Sequence, residues 1–238
     1  MRLKDQVAIV TGAGRGIGRA VALAFGREGA KVMLAARTAS ELNEVAAVIK
    51  SQAGLALTVP TDVCQEAPVL ALVEKTLVAW GRLDVLVTAA GIASTSPISD
   101  SEPAEWDRTM AVNLRGVYLS CRAVLPAMTA QRRGTIINVV SIVTRRAVPG
   151  WAAYTASKYG VLGFTRVLAE EMREQGVRVG ALVPGAVDTS LWDRVPGAPD
   201  RSRMLRPESV AEAAVLMASL PPSAALEELT LLPAGGVL

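Results

Sequence analysis

The chain has 238 residues, 51% hydrophobic and 20% charged, which suits an α/β domain with a sizeable core and excludes a disordered chain. Its 25 basic and 22 acidic side chains are scattered, the net charge is +3 and only 4% of residues are aromatic, so the basic stripe with stacking rings of a nucleic-acid binder is missing. Histidine is absent, which removes Ser/His and Cys/His pairs and the commonest metal ligand and leaves Tyr, Lys, Asp or Glu for any acid–base work.

The N-terminus carries no signal-peptide apolar region and runs straight into a strand at residues 7–10. A helix is expected over 16–28, stopped by Gly29, then a strand over 31–36 and a helix over 40–52 with Ser40 as its N-cap. Strand 55–60 leads to a helix over 68–80 that ends at Gly81, and strand 85–89 leads to one long helix over 102–132, with Pro126 near its end. Strands 135–140 and 178–183 flank a helix over 151–175, and a helix over 207–219 precedes a last short strand, 229–232.

This alternation has no break in composition, so it predicts one domain, 1–238, with a doubly wound, mostly parallel sheet of about seven strands and helices on both faces. Ligands of such sheets bind along the C-terminal edge of the strands. The irregular stretch 188–206, rich in proline and arginine and just past a strand end, reads as a substrate lid. Cys64 and Cys121 read as free thiols of a reducing compartment, and no apolar run reaches the length of a membrane span. The expectation is a soluble cytoplasmic protein with no metal, membrane or nucleic-acid partner.

Thr11-Gly12-Ala13-Gly14-Arg15-Gly16-Ile17-Gly18 joins the first strand to the first helix. Glycines there permit a tight turn and let a pyrophosphate approach backbone N–H groups at the positive end of the helix. The end of the second strand then bears on the nucleotide. NAD binders place an acid there for the ribose 2′-hydroxyl, whereas this chain has Ala35-Ala36-Arg37. Arg37 and Arg15 are two guanidiniums suited to a 2′-phosphate, which favours NADP(H) over NAD(H).

Tyr154 and Lys158 stand at i and i+4 near the start of a helix, so phenol and ammonium share one face, and a nearby ammonium is expected to lower the tyrosine pKa. Such a phenol can give a proton to a carbonyl oxygen or take one from an alcohol. Other tyrosines, Tyr118 and Tyr159, are expected to pack.

Together with Asp62-Val63, Ala89-Ala90-Gly91, Asn113, Ser141, and Pro184-Gly185-Ala186-Val187-Asp188-Thr189, these pieces follow one order along the whole chain. In that order the chain resembles the short-chain dehydrogenase/reductase family. The resemblance implies a Rossmann-type fold, with Tyr154 as general acid/base, Ser141 bonding the substrate oxygen, and Lys158 holding the nicotinamide ribose and depressing the tyrosine pKa. It implies Asn113 as anchor of a relay water. It further implies cofactor contacts from Gly12, Arg15, Gly16, Ile17, Gly18, Arg37, Asp62, Val63, Ala89, Ala90, Gly91, Pro184, Gly185, Val187 and Thr189. A homotetramer or homodimer built on the helices over 102–132 and 151–175 is also implied.

The chain departs from the family where two amides usually follow the fourth strand. Thr88-Ala89 stand there instead, which puts the rigidity of the central sheet in question. Ile142 to Arg146 follow the serine where a glycine is often found, which would narrow or charge the pocket. The function expected is NADPH-dependent reduction of a ketone or aldehyde, or the reverse. A 3-oxoacyl-carrier-protein or CoA-thioester reductase is the enzymatic alternative, in which Arg132, Arg133, Arg145 and Arg146 would meet an acidic carrier. An NADP(H)-binding regulator is the alternative without catalysis. In the lid, Leu191 and Trp192 point to a partly apolar pocket, while Arg194, Arg201, Arg203 and Arg206 would favour an anionic group.

Overall fold

The computed structural model describes residues 1–195 and 197–236. Position 196 and the side chain of Arg194, both inside the expected lid, lie outside the described residues.

Seven strands, β1 (Val7–Thr11), β2 (Lys31–Ala36), β3 (Leu55–Pro60), β4 (Val85–Thr88), β5 (Gly134–Val139), β6 (Val177–Pro184) and β7 (Glu228–Leu231), form one sheet. Their order is β3-β2-β1-β4-β5-β6-β7, parallel throughout. Every residue of β1, β4 and β5 is buried, as β-branched runs covered on both sides must be.

The two faces are covered by different helices. One core packs α1 (Gly16–Arg27), α2 (Ala39–Ser51) and α7 (Pro207–Ser219) around Val10, Phe25, Leu34 and Val215. The other packs α3 (Glu66–Trp80), α5 (Gly116–Ala130) and α6 (Ala152–Met172) around Ile9, Leu86, Val124 and Ile136. Strand order reverses between β1 and β4, which opens a crevice beyond their C-terminal ends. Among the described residues no helix is long and apolar enough to cross a membrane, and no cluster of acidic or cysteine side chains could hold a metal ion.

Helix starts differ from the sequence reading. Thr38, not Ser40, is the N-cap residue of α2, so Ser40 lies inside the first turn. Helix α3 begins at Glu66 with Pro68 in its first turn, where a missing N–H costs nothing because those donors have no intrahelical partner. Gly81 ends α3 in the left-handed region (φ 73°), as expected of that position.

The expected helix over 102–132 is three pieces: α4 (Pro103–Met110), a single π turn over Ala111–Arg115, and α5. One residue is inserted into the turn, which rotates the helix face around Asn113 without interrupting its hydrogen bonding.

The central sheet is tied together despite the missing amides. The Thr88 hydroxyl donates to Asn138 Oδ1 (2.8 Å), and Asn138 Nδ2 donates to Thr165 Oγ1 on α6 (2.9 Å). The buried Cys121 thiol on α5 points at the same oxygen (3.5 Å). The amide that β4 lacks is supplied by β5, so the expected loss of rigidity is corrected.

Candidate active site

The front of the crevice is the glycine loop. Gly12 has φ +67°, and a side-chain carbon on it would stand 2.7 Å from Ala90 N and 2.8 Å from Ala89 O, so only glycine lets the loop rest on the end of β4. A carbon on Gly18 would stand 2.2 Å from Gly12 O, and one on Gly16 3.3 Å from Thr189 Cγ2. The loop thereby brings Gly12, Gly16, Gly18, Ala89, Ala90 and Thr189 together. At the N-terminus of α1, Arg15 makes no side-chain cap and the first turn, with Ile17, carries no acid. Those amide donors are left for an anion, a donor set that fits a dinucleotide pyrophosphate.

Arg15 and Arg37 are exposed, and neither is ion-paired among the described residues. Arg37 lies close enough to the turn after β3 to act electrostatically on Cys64. In that turn Asp62 Oδ1 accepts the Cys64 N–H (3.0 Å), and Val63 is buried against Gly116. The Arg115 guanidinium donates to the Cys64 carbonyl and holds the turn to the π segment.

Behind the loop, four polar side chains converge. Ser141 follows β5 and caps a short 3-10 turn, Ile142–Thr144, accepting the Val143 N–H (3.4 Å), and its hydroxyl lies next to Tyr154. Lys158 is buried, and its Nζ donates to the Val139 carbonyl (2.8 Å) and lies 5.6 Å from the centre of the Tyr154 ring. Asn113 is fully buried. It bonds the Ile92 backbone in both directions (2.9 Å each) and donates to Ser157 Oγ (3.1 Å). Ser157 Oγ in turn donates to the Tyr154 carbonyl (2.7 Å). A carbon on Gly91 would stand 3.5 Å from Asn113 Oδ1 and 3.9 Å from Lys158 Nζ, so glycine keeps that corner open.

The electrostatics depart from expectation at Tyr154. Burial pushes its pKa above the ordinary tyrosine value, opposed by the neighbouring Ser141 hydroxyl. Lys158 does not pull it down, because burial depresses the lysine itself to about 8 and its ammonium is committed to Val139.

The segment after β6 is pinned. Gly185 N donates to Leu231 O (2.8 Å), Val187 pairs with Leu205, and Thr189 Oγ1 accepts the Leu191 N–H (3.4 Å). Pro184 is the last residue of β6, so Pro184, Gly185, Val187 and Thr189 continue along the crevice towards Gly16. Residues 188–206 hold two short 3-10 turns, Ser190–Arg194 and Arg201–Arg203.

Arg201 clasps this segment. Its guanidinium pairs with Asp188 (2.7 Å) and Asp193 (3.1 Å) and donates to the Thr189 carbonyl, so it is not available to an incoming anion. Arg145 and Arg166 both pair with Glu228, Arg133 lies 3.8 Å from Asp84, and Arg132 donates to the Glu174 carbonyl (3.0 Å). Three of the four arginines expected to meet an acidic carrier are thus engaged within the chain.

Trp151 escaped the sequence reading, as did its contact with Trp192, which was singled out only as a lid residue. Trp151 packs edge-on to Tyr154 (centroids 5.3 Å, 78°), and Trp192 packs on Trp151 (5.4 Å, 53°). The i,i+3 spacing of Trp151 and Tyr154 was a usable signal. Contact between residues 151 and 192 is set by tertiary structure and leaves no local trace.

Among known proteins, residues 6–198 match the family profile described as short chain dehydrogenase. An uncharacterized oxidoreductase of Staphylococcus saprophyticus is 37% identical over 235 residues, covering 98% of this chain and 99% of that protein. The 3-oxoacyl-(acyl-carrier-protein) reductase of a Synechocystis strain is 36% identical over 242 residues, covering 99% of this chain and 98% of the relative. Among solved structures, a metagenomic short-chain oxidoreductase in complex with NADP superposes with a TM-score of 0.87 at 37% identity, over 98% of this chain and 99% of that one.

Proposed function

Because the chain belongs to the short chain dehydrogenase family, we propose that it is an NADP(H)-dependent oxidoreductase that interconverts a ketone or aldehyde and its alcohol, with Tyr154 as general acid/base. The observation that carries this reading is the Tyr154 hydroxyl beside Ser141 and the buried Lys158, on the same strand-end edge as the glycine loop. The cofactor assignment is supported by the free donors at the start of α1, by Arg15 and Arg37, and by NADP in the superposed metagenomic protein.

When bound, NADPH supplies the hydride, and NADP+ accepts it in the reverse direction. Ser141 and Tyr154 hydroxyls meet the substrate oxygen as charge builds on it, and the Tyr154 proton completes the alcohol. A tyrosine whose pKa is raised stays protonated at neutral pH, which suits the acid role in reduction. Lys158 would hold the nicotinamide ribose, and Asn113 keeps the Ile92 loop and Ser157 in place behind it. Residues 188–206 act as the lid.

Replacing Tyr154 with Phe should retain NADPH binding, followed by fluorescence, and lose turnover on a carbonyl panel by a factor of about 100 or more. Comparable turnover in the variant would refute the assignment, and NADPH binding without turnover in the wild type would favour a regulator. Alcohol oxidation needs Tyr154 deprotonated, so its kcat/KM should climb through alkaline pH up to the raised tyrosine pKa. A profile that levels off near neutrality would place the base elsewhere. The Synechocystis relative supports the carrier-protein reading, but with Arg132, Arg133 and Arg145 engaged the free-carbonyl reading is the better supported. Turnover of an acyl thioester against a free ketone separates the two.

A further inference from the structure

The catalytic tyrosine sits at one end of an aromatic row that the reaction chemistry does not use. Tyr154, Trp151 and Trp192 follow one another at 5.3 and 5.4 Å, and the last of them belongs to the segment over the site. Trp151 is buried, whereas Trp192 is only half-buried and keeps an accessible face. Its indole N–H is used, donating to the Val187 carbonyl (2.9 Å), so what it presents outward is ring. Val148, whose carbonyl accepts the Trp151 backbone N–H, is an exposed apolar residue in the turn before Trp151.

Two of the arginines near this row are spoken for. Arg201 is shared between Asp188, Asp193 and the Thr189 carbonyl, and Arg145 is paired with Glu228. An anionic group would have to draw either of these two guanidiniums away from a carboxylate it already faces, whereas a flat apolar group finds a ring face ready, where edge or offset stacking adds to simple burial.

We propose that Trp192, seated on Trp151 and held by the Arg201 clasp, is a specificity-determining residue, and that the carbonyl substrate carries a neutral aryl or similarly flat apolar group that packs on it. This rests on the reading of Tyr154 as the acid/base, since that places the reacting carbonyl beside the row.

The test uses the full chain with NADPH and three probes: acetophenone, 2-butanone and pyruvate. Wild type should turn over acetophenone with kcat/KM at least about tenfold above either of the others. Trp192→Ala should lower the acetophenone to 2-butanone ratio about tenfold, chiefly through KM, and Trp192→Phe should restore most of it. Trp192→Leu, which keeps apolar volume without a ring, covers the case in which alanine unfolds the segment. A preference for pyruvate, read through the exposed Arg146 or Arg203, or an unchanged ratio in the alanine and leucine variants, would overturn the proposal. Calorimetric binding of acetophenone to the NADP+-loaded protein, which has no hydride to give a ketone, separates the two inferences. Binding that weakens in Trp192→Ala without turnover in wild type fails the Tyr154 reading and keeps the aromatic wall. Turnover without such weakening does the reverse.

Discussion

Lys158 shows what a single buried cation does to the molecule. Unfolded, it holds its proton up to about 10.5, the ordinary lysine value, and folded only to about 8, because burial removes the water that would stabilise the charge. Between those values the unfolded chain binds more protons, so the stability contributed at this residue rises with pH. Below about 8 the charge is present in both states and its cost is fully felt, and above 10.5 it is present in neither. Lys158→Met removes the slope. In urea unfolding, wild type should gain up to about 3 kcal/mol relative to that variant as pH rises from 7 to 10. A pH-independent difference would mean that the ammonium is solvated. The same residue marks a limit of sequence reasoning. The pairing of Tyr154 and Lys158 was legible from their spacing, but which group perturbs the other depends on burial and on the Val139 carbonyl, and neither is encoded in a motif.

Among the elements, the middle of the sheet and the segment over the site are held in opposite ways. Asn138 joins β4, β5 and α6 in a buried network, and Thr88→Val would leave its Oδ1 with only the Cys121 thiol. That change should cost about 1–3 kcal/mol, read from the denaturation midpoint, and no loss would mean that the network is redundant. The Arg201 clasp is half exposed on all three side chains, so its pairs contribute at most about 1 kcal/mol each. Arg201→Ala should leave Tm nearly unchanged while limited proteolysis cuts residues 188–206 first and faster than in wild type. Equal cleavage rates would show that the aromatic contacts alone hold the segment. Strands were legible as β-branched runs, and the alternation that implies a doubly wound sheet was legible with them. The π turn around Asn113 was not, because one inserted residue leaves the apolar periodicity on either side nearly intact. The start of α2 was missed for a similar reason, since Thr38 and Ser40 are both cap-forming residues and only the backbone chooses between them.

At the scale of the whole molecule, the residue-level pieces meet because strand order reverses between β1 and β4. The glycine loop after β1, Gly91 after β4, Ser141 after β5 and Thr189 after β6 all emerge at one edge. The opposite concern is the outer surface of the helical segments behind the site. Trp106 on α4, Tyr118 on α5, and Tyr159 and Val167 on α6 are exposed by 44%, 44%, 53% and 59%, too much large apolar surface on adjacent helices to be left to water without consequence. Tyr118 packs against Phe164 (6.1 Å, edge-on), so α5 and α6 present this surface together rather than on separate sides. These helices also carry Asn113, Tyr154 and Lys158, so covering them would stiffen the site from behind. The expected outcome is a homotetramer or homodimer by light scattering. A two-fold interface would place each side chain against the same patch of the partner, so a charge there is repeated across the axis. Tyr159→Arg should therefore shift the mass to a smaller species and lower Tm together, with NADPH affinity changed far less than stability. A wild-type monomer, or an arginine variant that keeps its full mass, would show that this apolar face is not the contact.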